Sequence, residues 1–258
     1  MEVFIMYKKI STAGMTNTEW LELRKTGIGG TDAGAVCGLN PYSSPIKVFY
    51  DKTSRDIREL DNEAVRQGHD LEDYVAQRFT EATGFKVRRS NYMYWSTEHH
   101  FMIADIDRLV VGEEAGLECK TASAYNADKW KDGEIPLHYV MQCYHYMAVT
   151  GKREWYIAVV ILGQKFVYRK LVWNDELIAR LIVMEKEFWE NHVLAGVIPA
   201  PDGSDIYNEV LNNYFGLERK GSSIRLTGFD DKLNRRVEIL AQIDRLQKEQ
   251  NNIEQEIK

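Results

Sequence analysis

A chain of 258 residues with 44% hydrophobic and 28% charged content is long enough to close a sizeable core, as one large domain with an appendage. A formal net charge of −6 excludes a global basic field, so any nucleic-acid partner has to be held by local groups. Cys37, Cys119 and Cys143 lie far apart without a CxxC pair, which argues against a zinc ribbon or cysteine-held cluster and fits a reduced, cytoplasmic setting.

The opening "MEVFIMYKKI" lacks a positive segment followed by an apolar one, and no run approaches the ~18 apolar residues of a membrane span, so neither secretion nor insertion is expected. Short helices are predicted at Thr18–Arg24, Asp32–Cys37 and Pro45–Asp51, with "GLNPYSSP" as a turn-rich connection. A longer helix is predicted from Asn62 to Thr83, stopping at Gly84. Strand-like runs follow at "FKVRRSNYMYW", "FMIADIDRLVV" and "GLECKTA", the last two joined by the turn "GEEAG". A helix over Leu137–Thr150 ends at Gly151, then "EWYIAVVIL" and "KFVYRKLVW" flank a turn at Gly163 and Gln164, and a helix runs from Asn174 to about Leu194. This order implies an α/β fold, a mixed central β-sheet flanked by helices. Prolines, a glycine and aspartates in "GVIPAPDGSD" mark a boundary near residue 200. Beyond it Leu233, Val237, Leu240, Ile243, Leu246, Ile253 and Ile257 recur at mostly three- and four-residue steps. That pattern is an amphipathic, coiled-coil-like tail, suited to packing on its own domain, to oligomerisation or to docking a partner.

Charge set into sheet-like runs is the main chemical signal. Alternation along a strand puts Glu118 and Lys120 on one face and Leu117, Cys119 and Thr121 on the other. Folding a hairpin about "GEEAG" brings Asp107 within one or two residue pairs of Glu118. Two bare carboxylates about 4 Å apart repel by ~4 kcal/mol at an effective dielectric of about 20, so a cation is needed between them. Lys120 supplies one charge, and a hard divalent ion with oxygen ligands fits better. In the long helix Val65, Glu72 and Phe79 recur every seven residues with Val75 and Ala76 beside them, which sets Glu72 on or beside the apolar stripe. Local pairing of Glu72, or of Glu118 with Lys120 alone, is the competing explanation.

The pattern Glu72, Asp107, Glu118-Cys119-Lys120 resembles the PD-(D/E)xK nuclease superfamily. "MQCYHY" supplies Gln142 and Tyr146 as a QxxxY element, and "WLELRKTGIGGTDAGAVCGLNPYSSP" is similar to the opening of YqaJ-type viral recombinase nucleases, relatives of phage lambda exonuclease. The resemblance covers Trp20 to His192. It implies a restriction-endonuclease-like nuclease domain over residues 1–198 and a linker with a helical tail over 199–258. It further implies one or two Mg2+ or Mn2+ ions on Glu72, Asp107, Glu118 and the Cys119 carbonyl. Lys120 would position and help deprotonate the attacking water, with Gln142 and Tyr146 in support. Ile106-Asp107-Arg108 stands where the family has Pro-Asp-Gly, which leaves Asp105 as a rival ligand. The implied activity is digestion of linear duplex DNA from 5′ ends to a 3′ single strand. A structure-selective or single-strand endonuclease and a noncatalytic recombination adaptor are the alternatives. The family also implies a homotrimer around DNA and a single-strand annealing protein as partner.

"GIGGTDAG" lacks the Gly-Lys-Ser/Thr of a P-loop and a preceding apolar strand, so nucleotide binding is not expected. Glycines leading into a helix leave backbone N–H groups for an anion, and in the resemblance Arg24 and Thr31 match the positions that hold a terminal 5′ phosphate. Lys129, Trp130 and Lys131 interleave charge and aromatic surface, and Arg88 and Arg89 lie on a nearby strand, which suits sequence-independent phosphate contact.

Overall fold

The computed structural model describes residues 7–55, 63–215, 223, 225 and 227–258. The chain divides into two units, Met1–Tyr214 and Phe215–Lys258. The first opens with β1 (Tyr7–Ser11), α1 (Asn17–Arg24), α2 (Gly30–Val36), α3 (Pro45–Thr53) and α4 (Glu63–Thr83). Short strands β2 (Val87–Arg89), β3 (Tyr92–Ser96), β4 (Ile103–Asp105) and β5 (Arg108–Val110) come next, then β6 (Ala115–Ala122) and a 3-10 helix at Ala124–Trp130. The unit continues with α5 (Leu137–Thr150), β7 (Glu154–Ile161), β8 (Lys165–Val172), α6 (Asp175–Phe188), a π-helical turn (Trp189–Leu194) and α7 (Asp205–Phe215).

Among the described residues the strands form two sheets, ordered β1-β3-β4 and β2-β5-β6-β7-β8. All neighbours are antiparallel except β6 and β7, which run parallel with Glu118 opposite Ile157. A parallel pair needs a crossover, and α5 supplies it. Its end at Gly151 in the left-handed region, φ 71°, satisfies the last helical carbonyls. The helices cover the faces of the larger sheet. Val75, Ala76 and Phe79 of α4 pack with Ala115, Leu117, Cys119, Tyr156 and Ala158, while Cys143, Tyr146 and Met147 of α5 pack with Trp155, Ile157 and Val159. The mixed sheet flanked by helices is thus the expected α/β core.

Several elements differ from the sequence expectation. Two strand-like runs each divide between the sheets: Val87–Arg89 and Arg108–Val110 pair with each other, whereas Tyr92–Ser96 pairs with Ile103–Asp105. Asn91, at φ 54°, makes the first break. The start expected at Asn62 lies outside the described residues, and Val65 is 37% exposed, not on the buried stripe. The second unit contains α8 (Asp230–Ile257), which buries none of its residues. Leu233, Val237, Leu240, Ile243, Leu246, Ile253 and Ile257 are 48% to 78% exposed, so the heptad-like spacing forms a one-sided apolar stripe and not a coiled coil within this chain.

Candidate active site

Glu118 and Lys120 project from β6 toward α5, because Leu117 and Cys119 occupy the face packed on α4. Lys120 Nζ lies 2.5 Å from Glu118 Oε1, and Gln142 Nε2 donates to that same oxygen at 2.6 Å. Gln142 also donates to the Tyr146 hydroxyl at 2.9 Å, one helical turn on. The register Arg108 to Leu117, continued by one residue, sets Asp107 opposite Glu118. Asp107 Oδ2 accepts from the Cys119 amide at 2.8 Å. The structure therefore gathers Asp107, Glu118, Cys119, Lys120, Gln142 and Tyr146 in one place.

Glu72 borders this group but is held elsewhere. Its Oε1 is 3.1 Å from His69 Nδ1 and its Oε2 accepts from Arg108 Nη1 at 3.4 Å. Arg108 is 4% exposed and also binds Asp73 at 2.7 Å. Among the described residues no three His, Cys, Asp or Glu side chains are close enough together to hold a metal ion. Asp105 is on β4 of the other sheet, where its Oδ2 accepts from Trp20 Nε1 at 2.8 Å.

The donor set fits a hard cation on other grounds. Burial, and then the charge of Glu118, push the Asp107 carboxyl well above the usual range. Burial raises Glu118 too, against the pull of Lys120. For Lys120 burial acts downward, but Glu118 and Asp107 outweigh it and hold the ammonium protonated above the usual lysine range. We take Lys120 as the charged partner; one ammonium then serves two buried carboxyls, and the second can ionise there only with a further cation beside it. Glu118 Oε2, moreover, is buried and has no hydrogen-bond partner. A lone buried carboxylate oxygen is costly, and an oxygen-liganded divalent ion relieves it.

Close packing explains "GIGGTDAG". A Cβ at Gly30 would collide with the Tyr146 ring, and one at Gly34 would sit 2.7 Å from His138 Cβ. These glycines let α2 lie against α5, beside Gln142 and Tyr146. Gly29 is the N-cap of α2, and Asp32 Oδ2 accepts from the Gly29 amide at 2.9 Å. Arg24 Nη2 donates to Thr31 Oγ1 at 2.8 Å. Sequence reasoning missed the support behind this pair: Lys52 Nζ reaches Asp32 at 2.7 Å and the Arg24 carbonyl at 2.7 Å. Burial pushes Asp32 up, but Lys52 and Arg24 outweigh it and hold the carboxyl below its ordinary value.

The outer basic residues are more dispersed. Arg88 is exposed on β2, Arg89 pairs with Asp73, and Lys131 pairs with Asp128. Trp130 is 3% exposed, so it belongs to the core and not to an aromatic surface; Tyr42, 58% exposed, takes that place beside Lys129.

A model of the YqaJ-like viral recombinase domain matches residues 19–153. YqaJ of Bacillus subtilis (strain 168) is 40% identical over 248 residues, covering 95% of this chain and 78% of that protein. The chain belongs to the YqaJ-like viral recombinase family. The fold of this YqaJ-like chain is similar to the alkaline exonuclease LHK-Exo of Laribacter hongkongensis, at TM-score 0.59 and 19% identity, covering 70% of this chain and 94% of that one. The complex of LHK-Exo with dAMP gives TM-score 0.61 at 18% identity, covering 78% and 100%. No helix among the described residues is long and apolar enough to cross a membrane.

Proposed function

We propose that this chain is a metal-dependent DNA exonuclease of phage recombination type, degrading linear duplex DNA from 5′ ends and leaving a 3′ single strand. The observation that carries it is the unpartnered buried Glu118 Oε2 beside Asp107, under the ammonium of Lys120. Asp107, Glu118 and the Cys119 carbonyl would hold Mg2+ or Mn2+, joined by Glu72 once it leaves His69 and Arg108. Such an ion, when bound, lowers the pKa of water and screens the phosphodiester. Lys120 orients the attacking water and faces the scissile phosphate. Gln142 fixes the Glu118 carboxylate, and Tyr146 fixes Gln142. Arg24 and Thr31 receive a terminal 5′ phosphate, the arginine being steadied by its cation–π contact with Trp20 at 4.9 Å. Arg88, Lys129 and Lys131 contact backbone phosphates without reading bases.

LHK-Exo, an alkaline exonuclease of the same fold, carries dAMP in its complex, in keeping with a deoxynucleotide as ligand here. The nuclease domain is taken as residues 1–198, with 199–258 as linker and tail. The exposed stripe of α8 favours assembly as a further task, either in a homo-oligomer, a trimer by family, or on a single-strand annealing protein. Cysteines free of disulfides suit a reduced, cytoplasmic setting.

The test is nucleotide release from linear duplex DNA with and without Mg2+, with and without a 5′ phosphate, and from covalently closed circles. Release from linear DNA alone, faster from phosphorylated ends, is expected. Cutting of closed circles would establish the endonuclease reading, and no release with either metal would leave the adaptor.

A further inference from the structure

A run of aromatic rings leads outward from Lys120. The Lys120 Nζ lies 5.0 Å from the Tyr139 ring centroid. Tyr139 stacks on buried Trp130 at 5.8 Å and 28°, and meets His138 at 4.0 Å. His138 in turn meets Tyr42 edge-on, at 6.0 Å and 81°. Tyr42 is the outermost ring and is 58% exposed. Lys129 Nζ sits 5.6 Å from its centroid and donates to its hydroxyl at 3.3 Å.

The outer ring is held in place before any ligand arrives. The Tyr42 amide donates to Asn40 Oδ1 at 2.9 Å, fixing the turn that carries it. Behind it His138 is anchored where Gly34 allows α2 to press on α5, and the His138 Nε2 is buried without a hydrogen-bond partner. A pre-ordered exposed ring with a cation at its hydroxyl end offers a π-face to a base and a charge to the adjoining phosphate, a combination that binds single strands without regard to sequence.

We propose that Tyr42, with Lys129 at its hydroxyl and His138 behind it, is a stacking platform for an unpaired base of the DNA strand whose phosphate lies at Lys120. The platform rests on the nuclease reading for the position of that phosphate. It makes Tyr42 a binding residue that takes any base, so melted ends are engaged without a sequence preference.

The test uses the full chain and a duplex with 2-aminopurine near its 5′ end, bound in Ca2+ and, separately, cut in Mg2+. Wild type should quench the 2-aminopurine. Tyr42→Ala should lose the quenching and raise Kd and KM roughly tenfold, a size typical of one lost base stack, with the loss in KM and not in kcat. Tyr42→Phe and Tyr42→Trp should retain both readouts, while Tyr42→Leu, which keeps apolar bulk without a π-face, should behave as the alanine variant at an unchanged melting temperature. Lys129→Ala should weaken binding uniformly across sequences and lower the salt slope by about one. Quenching and KM unchanged in Tyr42→Ala, or Tyr42→Phe falling as far as Tyr42→Ala, overturns the platform. A wild-type protein that releases no nucleotide with Mg2+ or Mn2+ sinks the nuclease reading instead, and the 2-aminopurine arm then decides the platform by itself.

Discussion

Gln142 donates its side-chain amide to Glu118 Oε1 at 2.6 Å, across 24 residues of chain. Because Lys120 holds the same oxygen, the other carboxylate oxygen is left for something outside the protein. Glu118→Gln keeps the shape and removes the charge. Nucleotide release should fall at least a hundredfold, the scale of losing an electrostatic contact made in the transition state. Thermal stability should hold or rise, since the substitution removes one of two buried carboxyls and leaves Asp107 as the counter-charge of Lys120. Wild-type turnover in this variant would remove Glu118 from the site.

The second buried carboxyl also predicts a response to metal alone. A ligand that binds only the folded chain at a hundred times its Kd adds ~2.7 kcal/mol, which for a chain of this size is a rise of roughly 5–10 °C in melting temperature. Mg2+ or Mn2+ should give such a rise, EDTA should reverse it, and Glu118→Gln should largely abolish it. An equal rise in wild type and variant would mean that the ions bind elsewhere.

How much of this was legible follows from how local each signal is. Alternation along β6 is a local property, so Glu118 and Lys120 could be put on one face, and a short turn fixed Asp107 near Glu118. The phase of a helix stripe is less certain, and Glu72 was read without Arg108, the buried cation that holds it. The division of two strand-like runs between sheets was not read: in the first the polar stretch Arg88-Arg89-Ser90-Asn91 marks the break, whereas in the second the alternation continues through Ile106-Asp107 while the strands separate. β1 was missed for a similar reason: its partner β3 lies some eighty residues on, with Tyr7 opposite Ser96, and edge strands carry a weak pattern of their own.

Arg24 gives a test of end recognition that is independent of the metal. Its guanidinium is joined to Thr31 at 2.8 Å and lies 3.9 Å from Asp32, which keeps Lys52 as its ion-pair partner, so removing it should leave the fold intact. Arg24→Ala should cut the preference for 5′-phosphorylated over unphosphorylated ends by about tenfold, the lower range for one charge-assisted hydrogen bond. Competition between the two ends in one reaction measures this directly. A wild-type protein with no preference would show that the pair is structural.

His145 and Glu185 form a second buried ion pair, away from the carboxylates of the site, with both side chains fully enclosed. His145 Nδ1 lies 2.8 Å and 3.0 Å from the two Glu185 oxygens, and its Nε2 is 2.8 Å from the Ile103 carbonyl. The carbonyl can only accept, so Nε2 carries a hydrogen, and an ionised Glu185 requires one on Nδ1 as well. Burial lowers the pKa of His145, but Glu185 and the carbonyl outweigh it and the value ends above the ordinary one. Burial likewise raises Glu185, against His145. Both shifts mean that folding takes up protons. The His145 contribution is therefore complete below the unfolded value of about 6.5 and declines as pH rises through the raised folded value. His145→Ala should cost ~3–5 kcal/mol by stranding Glu185, while His145→Ala/Glu185→Ala together should cost less than the two singles summed. Melting curves taken upward from about pH 6.5 should show wild type losing its advantage over the double variant. A constant difference across that range would mean that the pair shares no titrating proton.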